Sequence, residues 1–260
     1  MDLTDVLYDV EDHVATITLN RPEQRNALGP RALRDLITAF DAAKRDDDVR
    51  VVLLTGAGDK AFSAGADLGG FAADATELQR HEERGVFVEL FLAMQQLGKP
   101  IVGCINGHAL AGGFGLALSC DLLVAAETAQ FGTPEIRVGV WPMMIMSIVV
   151  RNIGRKRAMQ LFMTGERIDA ATARDWGVVN RVVPGAEVRE ETRSWAVQLT
   201  KWSPLIMRLG RNAFYDIDSL DVESALRHLQ AQLSIVSLSD DFREGVTAFL
   251  QKREPDFKGR

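Results

Sequence analysis

The 260-residue sequence predicts an α/β fold that becomes helical towards its C-terminal end. Three observations predict it. Apolar runs of strand length alternate with helically spaced segments in the first half. Two of those runs end in glycine-rich, small-residue turns. The last hundred or so residues carry helical spacing almost throughout, as expected for an α/β core followed by a helical part.

Residues 6–10 and 14–19 read as two strands joined across Glu11-Asp12-His13, with Ala15, Ile17 and Leu19 alternating with Thr16 and Thr18 in the second. Asn20-Arg21-Pro22 ends that pattern. Gly29-Pro30 opens a helix, proline in its first turn, with Leu33, Leu36, Ile37 and Phe40 along one face. Residues 49–55 form a continuous apolar strand, followed by the loop 56–60 and by Ala61-Phe62-Ser63-Ala64-Gly65-Ala66-Asp67-Leu68. Residues 71–84 are charged and weakly periodic and read as a mobile surface segment, a lid candidate. A helix at 87–97 presents Phe87, Leu90, Phe91 and Met94, and Lys99-Pro100 ends it before the strand 101–105.

Asn106-Gly107 then turns the chain, and Gly112-Gly113 leads into a small-residue helix. A strand at 122–126 follows. Residues 129–142 run into the wholly apolar stretch 143–150. Helical spacing marks 155–163, 169–176, 188–201, 205–215, 222–236 and 240–252, interrupted by one strand at 178–183.

Apolar residues make up 47% and charged residues 25%, an ordinary globular balance, and no apolar run is long enough for a membrane helix. The acidic N-terminus lacks a signal-peptide pattern, so a cytoplasmic protein is expected. A net charge of −6 argues against nucleic acid as a partner. Cys104 and Cys120 read as small core residues, and with His13, His81, His108 and His228 scattered, metal-ligand spacing is absent.

The two glycine-rich turns carry the chemistry. Strand, glycine turn and helix together point bare N–H groups at something negative, and side chains at Gly112 or Gly113 would obstruct the approach. Two such turns could converge two donors on one oxygen, an oxyanion hole. Asp67, Asp121 and Glu135 are the acids within the small-residue loops. Asp67 also suits a helix N-cap. Glu135, amid apolar neighbours, should be partly desolvated, with a raised pKa that suits a general base.

Several segments resemble the enoyl-CoA hydratase/isomerase (crotonase) superfamily, in that family's order. They are Asn20-Arg21-Pro22 with Arg25-Asn26-Ala27-Leu28, Ala61 to Leu68, Asn106-Gly107-His108-Ala109-Leu110-Ala111-Gly112-Gly113, Cys120-Asp121, and Ala129-Gln130-Phe131-Gly132-Thr133-Pro134-Glu135. Thr164-Gly165-Glu166, Trp176 to Asn180 and the tail Glu244 to Arg253 extend the likeness. The resemblance implies a crotonase-like spiral of ββα units over 1–190, and a helical C-terminal trimerisation region over 191–260, with hexamers common. It implies an acyl-CoA substrate, with coenzyme A part of that substrate and no separate cofactor. Ala66 and Gly112 would supply the oxyanion-hole amides. Arg25, Ala27, Leu28, Ala64, Gly65, Asp67, Leu68 and Gly113 would line the CoA and substrate path, and Lys258 or Arg260 would reach the CoA phosphates of a neighbouring subunit.

The departures point to one reaction within that family. The resemblance implies two glutamates in a hydratase, one at the position of Gly115 and one at Glu135, and the first is missing. Met143-Met144-Ile145-Met146 replaces a glycine-rich loop with an apolar wall that should exclude water. A lone base suits double-bond migration, with Glu135 taking a proton from C2 of a 3-enoyl-CoA and returning it at C4. Hydration remains the alternative, with Glu77, His81, Glu82 or Glu83 supplying a second acid. Thioester hydrolysis, decarboxylation and a non-catalytic acyl-CoA- or RNA-binding role are the others.

Overall fold

A computed structural model describes residues 1–67 and 76–260. In chain order its elements are β1 (Val6–Glu11), β2 (Val14–Leu19), α1 (Pro30–Arg45), β3 (Val51–Gly56), β4 (Ala61–Ser63), α2 (Glu77–Gln95), β5 (Ile101–Ile105), β6 (His108–Leu110) and α3 (Gly112–Leu118). β7 (Leu122–Ala126), β8 (Gln130–Gly132), α4 (Met146–Thr164), β9 (Arg167–Asp169), α5 (Ala170–Asp175) and β10 (Arg181–Val183) follow, then α6 (Val188–Leu199), α7 (Pro204–Asp216), α8 (Val222–Ser237) and α9 (Asp240–Gln251).

The long strands form a six-stranded sheet ordered β1-β2-β3-β5-β7-β10. The β1–β2 hairpin is antiparallel and every other pairing is parallel. Every residue of β3 is buried, because helices cover both faces. Alternation along the strand sorts the side chains: Val52 and Leu54 join the main core with Leu33, Leu36, Phe40 and Leu90, while Val51 and Leu53 meet Val188 and Ala196 of α6 on the other face. A second sheet of short strands, ordered β4-β6-β8-β9, lies apart from the first.

α7 is tied back by the buried Arg211, paired with half-buried Asp121. Arg211 donates from Nε to Asp121 at 2.8 Å and from its other nitrogens to the carbonyls of Gln95 and Met94, and the Tyr215 hydroxyl donates to Asp121 at 2.8 Å. Side-chain caps start α7, α8 and α9 at Ser203, Asp221 and Ser239.

Several expectations change. The helix at 87–97 begins ten residues earlier, at Glu77, where Thr76 and Gln79 form a reciprocal capping box that fixes the start despite the charged face. Much of the expected surface segment is therefore helix, and its residues 71–75 lie outside the described residues. The apolar stretch 143–150 is half helix, since α4 starts at Met146 and runs through a break at Gly154. The division at residue 190 falls inside α6, whose buried face completes the sheet's second core. The apolar wall reduces to Ile145. Met143 is 66% exposed, and Met144 and Met146 are exposed as well.

Candidate active site

The second sheet sets the geometry. β4, β6 and β8 run parallel, with Ser63 paired to Ala109 and Leu110 to Gly132. The segments leaving their carboxyl ends, Ala64 to Ala66, Ala111 to Gly112 and Thr133 to Glu135, therefore emerge side by side along one edge. Carboxyl ends of parallel strands are where α/β sheets collect ligands.

Asn26 fastens the first segment. It is 1% exposed, and its Nδ2 donates to the carbonyls of Ala57 at 3.0 Å and Ala61 at 2.8 Å. Its own carbonyl accepts the Ser63 hydroxyl, and Ala64 N donates to Arg25 O at 3.0 Å. Arg25 and Asn26 both take positive φ, which folds Arg25-Ala27 over β4. Leu28 forms a parallel bridge to Ala66: Leu28 N donates to Gly65 O at 2.8 Å and Asp67 N to Leu28 O at 3.2 Å. Those two bonds flank Ala66, so its own N–H points to the opposite side.

Gly112 stands on that side. A Cβ added to Gly112 would lie 3.5 Å from Ala66 N, and one added to Gly65 would lie 2.8 Å from Gly112 N. The two amides that the sequence paired thus come together, and Gly65 is glycine because Ala111 and Gly112 press against it. Ala111 has φ +51° and ψ −128°, a strained conformation for alanine that turns the chain sharply into α3. Phe87 of α2 closes the site over Gly112, its Cε1 3.4 Å from the same added Cβ.

Among the three candidate acids, two are occupied. Asp67 pairs with Arg21 at 3.1 Å, and Asp121 is held by Arg211 and Tyr215. Glu135 is different. It sits in the short 3-10 helix Pro134–Val138 after β8, and its Oε2 is buried without a hydrogen-bond partner among the described residues. Burial holds its carboxyl above the usual range, against a smaller opposing backbone hydrogen bond. The Thr133 hydroxyl beside it is likewise buried and unpartnered.

The position after the glycine turn is closed to any side chain. A Cβ on Gly115 would lie 2.8 Å from Ile145 Cβ and 3.5 Å from Phe91 Cζ. Ile145 is 1% exposed and has nowhere to move.

Other expected site residues sit as follows. Ala27, Ala64 and Gly65 line the same edge, and Arg25 is exposed beside it. Leu28 contributes backbone only, since its side chain is fully buried in the core. Gly113 faces away from the amides: its added Cβ would strike Ser63, so its small size serves the packing of α3 on β4. Leu68 lies outside the described residues. Lys258 is in the C-terminal tail, where its Nζ pairs with Asp256 at 2.7 Å and its N–H donates to Asp241, so this chain does not bring it to the site. Sequence reasoning missed Asn26 as a fastener, Phe87 as a cover and Ile145 as a plug. The positive-φ pair at Arg25 and Asn26 leaves no compositional trace.

These features define an α/β protein of the crotonase fold, with bare backbone amides and a desolvated acid on one sheet edge. The chain belongs to the enoyl-CoA hydratase/isomerase family, whose profile matches residues 9–260. It is 33% identical to a 2,3-dehydroadipyl-CoA hydratase of Escherichia coli K12, over 99% of this chain and 100% of that protein. It is 32% identical to a short-chain-enoyl-CoA hydratase of Clostridium acetobutylicum, with 100% of both chains covered. The crystal structure of an enoyl-CoA hydratase from Bacillus anthracis superposes with a TM-score of 0.93 at 34% identity, covering 99% of this chain and 100% of that one. Among the described residues no helix is long and apolar enough to cross a membrane.

Proposed function

We propose that the chain acts on acyl-CoA thioesters through an enolate, and that it moves the double bond of a 3-enoyl-CoA to the 2 position. The observation that carries this reading is the plug at Gly115. Ile145 fills the space where the resemblance implies a hydratase's first glutamate, which leaves Glu135 as the acid beside the paired amides. The thioester oxygen would accept from Ala66 N–H and Gly112 N–H. In the simplest cycle the Glu135 carboxylate takes the C2 proton, negative charge collects on the held oxygen, and the same carboxyl returns the proton at C4. Arg25, Ala27 and Ala64 would border the CoA path, with Asp67 held in place by Arg21.

Relatives named as hydratases support hydration as the second reading. It requires a second acid, and the half-buried Glu83 of α2 is the observation in its favour. Side-by-side assays with 3-enoyl-CoA and 2-enoyl-CoA separate the two. Faster turnover of the 3-enoyl substrate is expected, and water addition to the 2-enoyl substrate as the main reaction would reverse the order.

We also propose self-association as a trimer or a dimer of trimers. Leu226, Leu233, Phe249 and Leu250 of α8 and α9 are exposed on the single chain, and exposed apolar helix faces mark association surfaces. A monomer in sedimentation equilibrium would remove this part, and with it the reach of Lys258 to a neighbour's CoA.

A further inference from the structure

We propose that Ala111 is a positioning residue of the amide pair: its methyl group holds Gly65 at the spacing that aims the Ala66 N–H beside that of Gly112. The proposal rests on the oxyanion reading above, whichever enoyl-CoA reaction the site performs. It starts from the strain at Ala111, whose φ of +51° and ψ of −128° glycine reaches freely and alanine does not. The chain around it fixes both angles. Ala111 N donates to Gly132 O of β8 at 2.9 Å, and Ala111 O accepts Phe114 N at 2.9 Å and Gly115 N at 3.2 Å in α3. These bonds use backbone atoms alone, and a glycine would make all of them without strain. The strain therefore accompanies one group, the methyl.

That methyl touches the other half of the site. The point a Cβ would occupy on Gly65 is 2.6 Å from Ala111 Cβ, so Gly65 Cα, one bond behind that point, is in van der Waals contact with the methyl. The same point is 2.8 Å from Gly112 N. Gly65 has φ +92° and no side chain to restrain it. Its N–H donates to Ser63 Oγ at 3.2 Å, and its carbonyl accepts Leu28 N at 2.8 Å.

Gly65 O and the Ala66 N–H lie on opposite sides of one trans peptide, so tilting that plane about the Leu28 bond swings the N–H. A Gly65 free to move towards α3 would carry the N–H with it, and the methyl occupies the space such a movement needs. Hydrogen bonds weaken steeply as their angle falls, and a hole made of two amides depends on both being aimed at one oxygen. Ala111 thus exchanges an unstrained turn for a fixed donor.

The carbonyl of a bound ligand reports the aim of the amides without turnover. The probe is butyryl-CoA, isotope-labelled at its thioester carbon, with the carbonyl stretch read by infrared difference spectroscopy. On the wild type the band should move to lower frequency than in water. Ala111→Gly should lose at least about half of that shift and about 10-fold to 100-fold in kcat, less than the loss of a whole donor, with KM nearly unchanged. Its melting temperature should equal or exceed that of the wild type, because the strain is gone. Ala111→Ser, which returns a Cβ to the same point, should recover most of the shift and of kcat. Ala111→Gly with the wild-type band and kcat overturns the proposal. So does an Ala111→Gly protein that melts well below the wild type, since the methyl would then be packing that the fold itself requires, and so does an Ala111→Ser protein no better than the glycine variant. A wild-type band left where it stands in water removes the oxyanion reading and the role of Ala111 with it, and that result precedes any variant.

Discussion

Ile145 stands where a side chain on Gly115 would have to go, its Cβ 2.8 Å from the point a Cβ would occupy. The two residues come from different helical regions, α3 and the turn before α4, and each limits the other. Gly115→Ala should destabilise the protein by about 1–3 kcal/mol through overpacking. Adding Ile145→Ala should recover part of that loss, with a coupling above about 0.5 kcal/mol in a denaturation cycle. Independent, additive effects would show that the space is not shared.

Glu135 ties activity to pH. Its carboxyl titrates above the usual range because it is buried, and as a base it works only when ionised. The acid limb of kcat/KM should therefore lie at higher pH than for an ordinary glutamate, about 4.3, and Glu135→Gln should lower kcat by about 100-fold to 10,000-fold.

Stability should move the opposite way. A carboxyl whose pKa is raised by folding contributes stability below its unfolded pKa and loses it as pH rises through the folded value. Glu135→Gln should therefore melt at a higher temperature than the wild type at neutral pH, with the gap closing towards pH 4, near the unfolded value of about 4.3. Equal melting curves at neutral pH would mean that the carboxyl is not desolvated in solution.

Gly112→Ala tests the amide pair directly. The added methyl would sit 3.5 Å from Ala66 N and 3.4 Å from Phe87 Cε1, contacts the fold can absorb but an incoming oxygen cannot share. A drop in kcat of about 100-fold to 1,000-fold is expected with little change in melting temperature. Unchanged turnover would place the oxyanion elsewhere.

Arg211→Met leaves Asp121 and Tyr215 without their guanidinium, and two carbonyls without a donor. The expected loss is about 1–3 kcal/mol by chemical denaturation, because the carbonyls of Gln95 and Met94 lose their donor and half-buried Asp121 loses its cation. A loss under about 1 kcal/mol would show that solvent replaces the guanidinium at all three acceptors.

The long strands were legible because apolar runs of five or six residues have no other home than a covered sheet. β4, β6, β8 and β9 were not, since three residues are too few to display an alternation. Yet those short strands bring Ala66, Gly112 and Glu135 to one edge. Their glycine and small-residue turns betrayed the site without the strands being seen. Glu135 was legible as the base from its apolar neighbours, and the coordinates add that Asp67 and Asp121 are paired with cations while the Glu135 carboxyl is desolvated. The methionines misled because a run of apolar letters does not say which of them faces inward, and only Ile145 does.

Asn106 bridges the ends of β3 and β5: its Oδ1 accepts Gly56 N and its Nδ2 donates to Gly58 O at 2.9 Å. Gly107 cannot be exchanged either, since a Cβ there would fall 2.6 Å from Ala61 N. The fold is therefore bound to keep an asparagine–glycine pair, the dipeptide most prone to spontaneous deamidation in an open chain. While folded, the 6% exposure of Asn106 and its bonds hold the amide out of reach. Once unfolded, the chain ages: conversion to aspartate turns the donor facing Gly58 O into a repelling oxygen, and time spent unfolded becomes damage that refolding cannot undo.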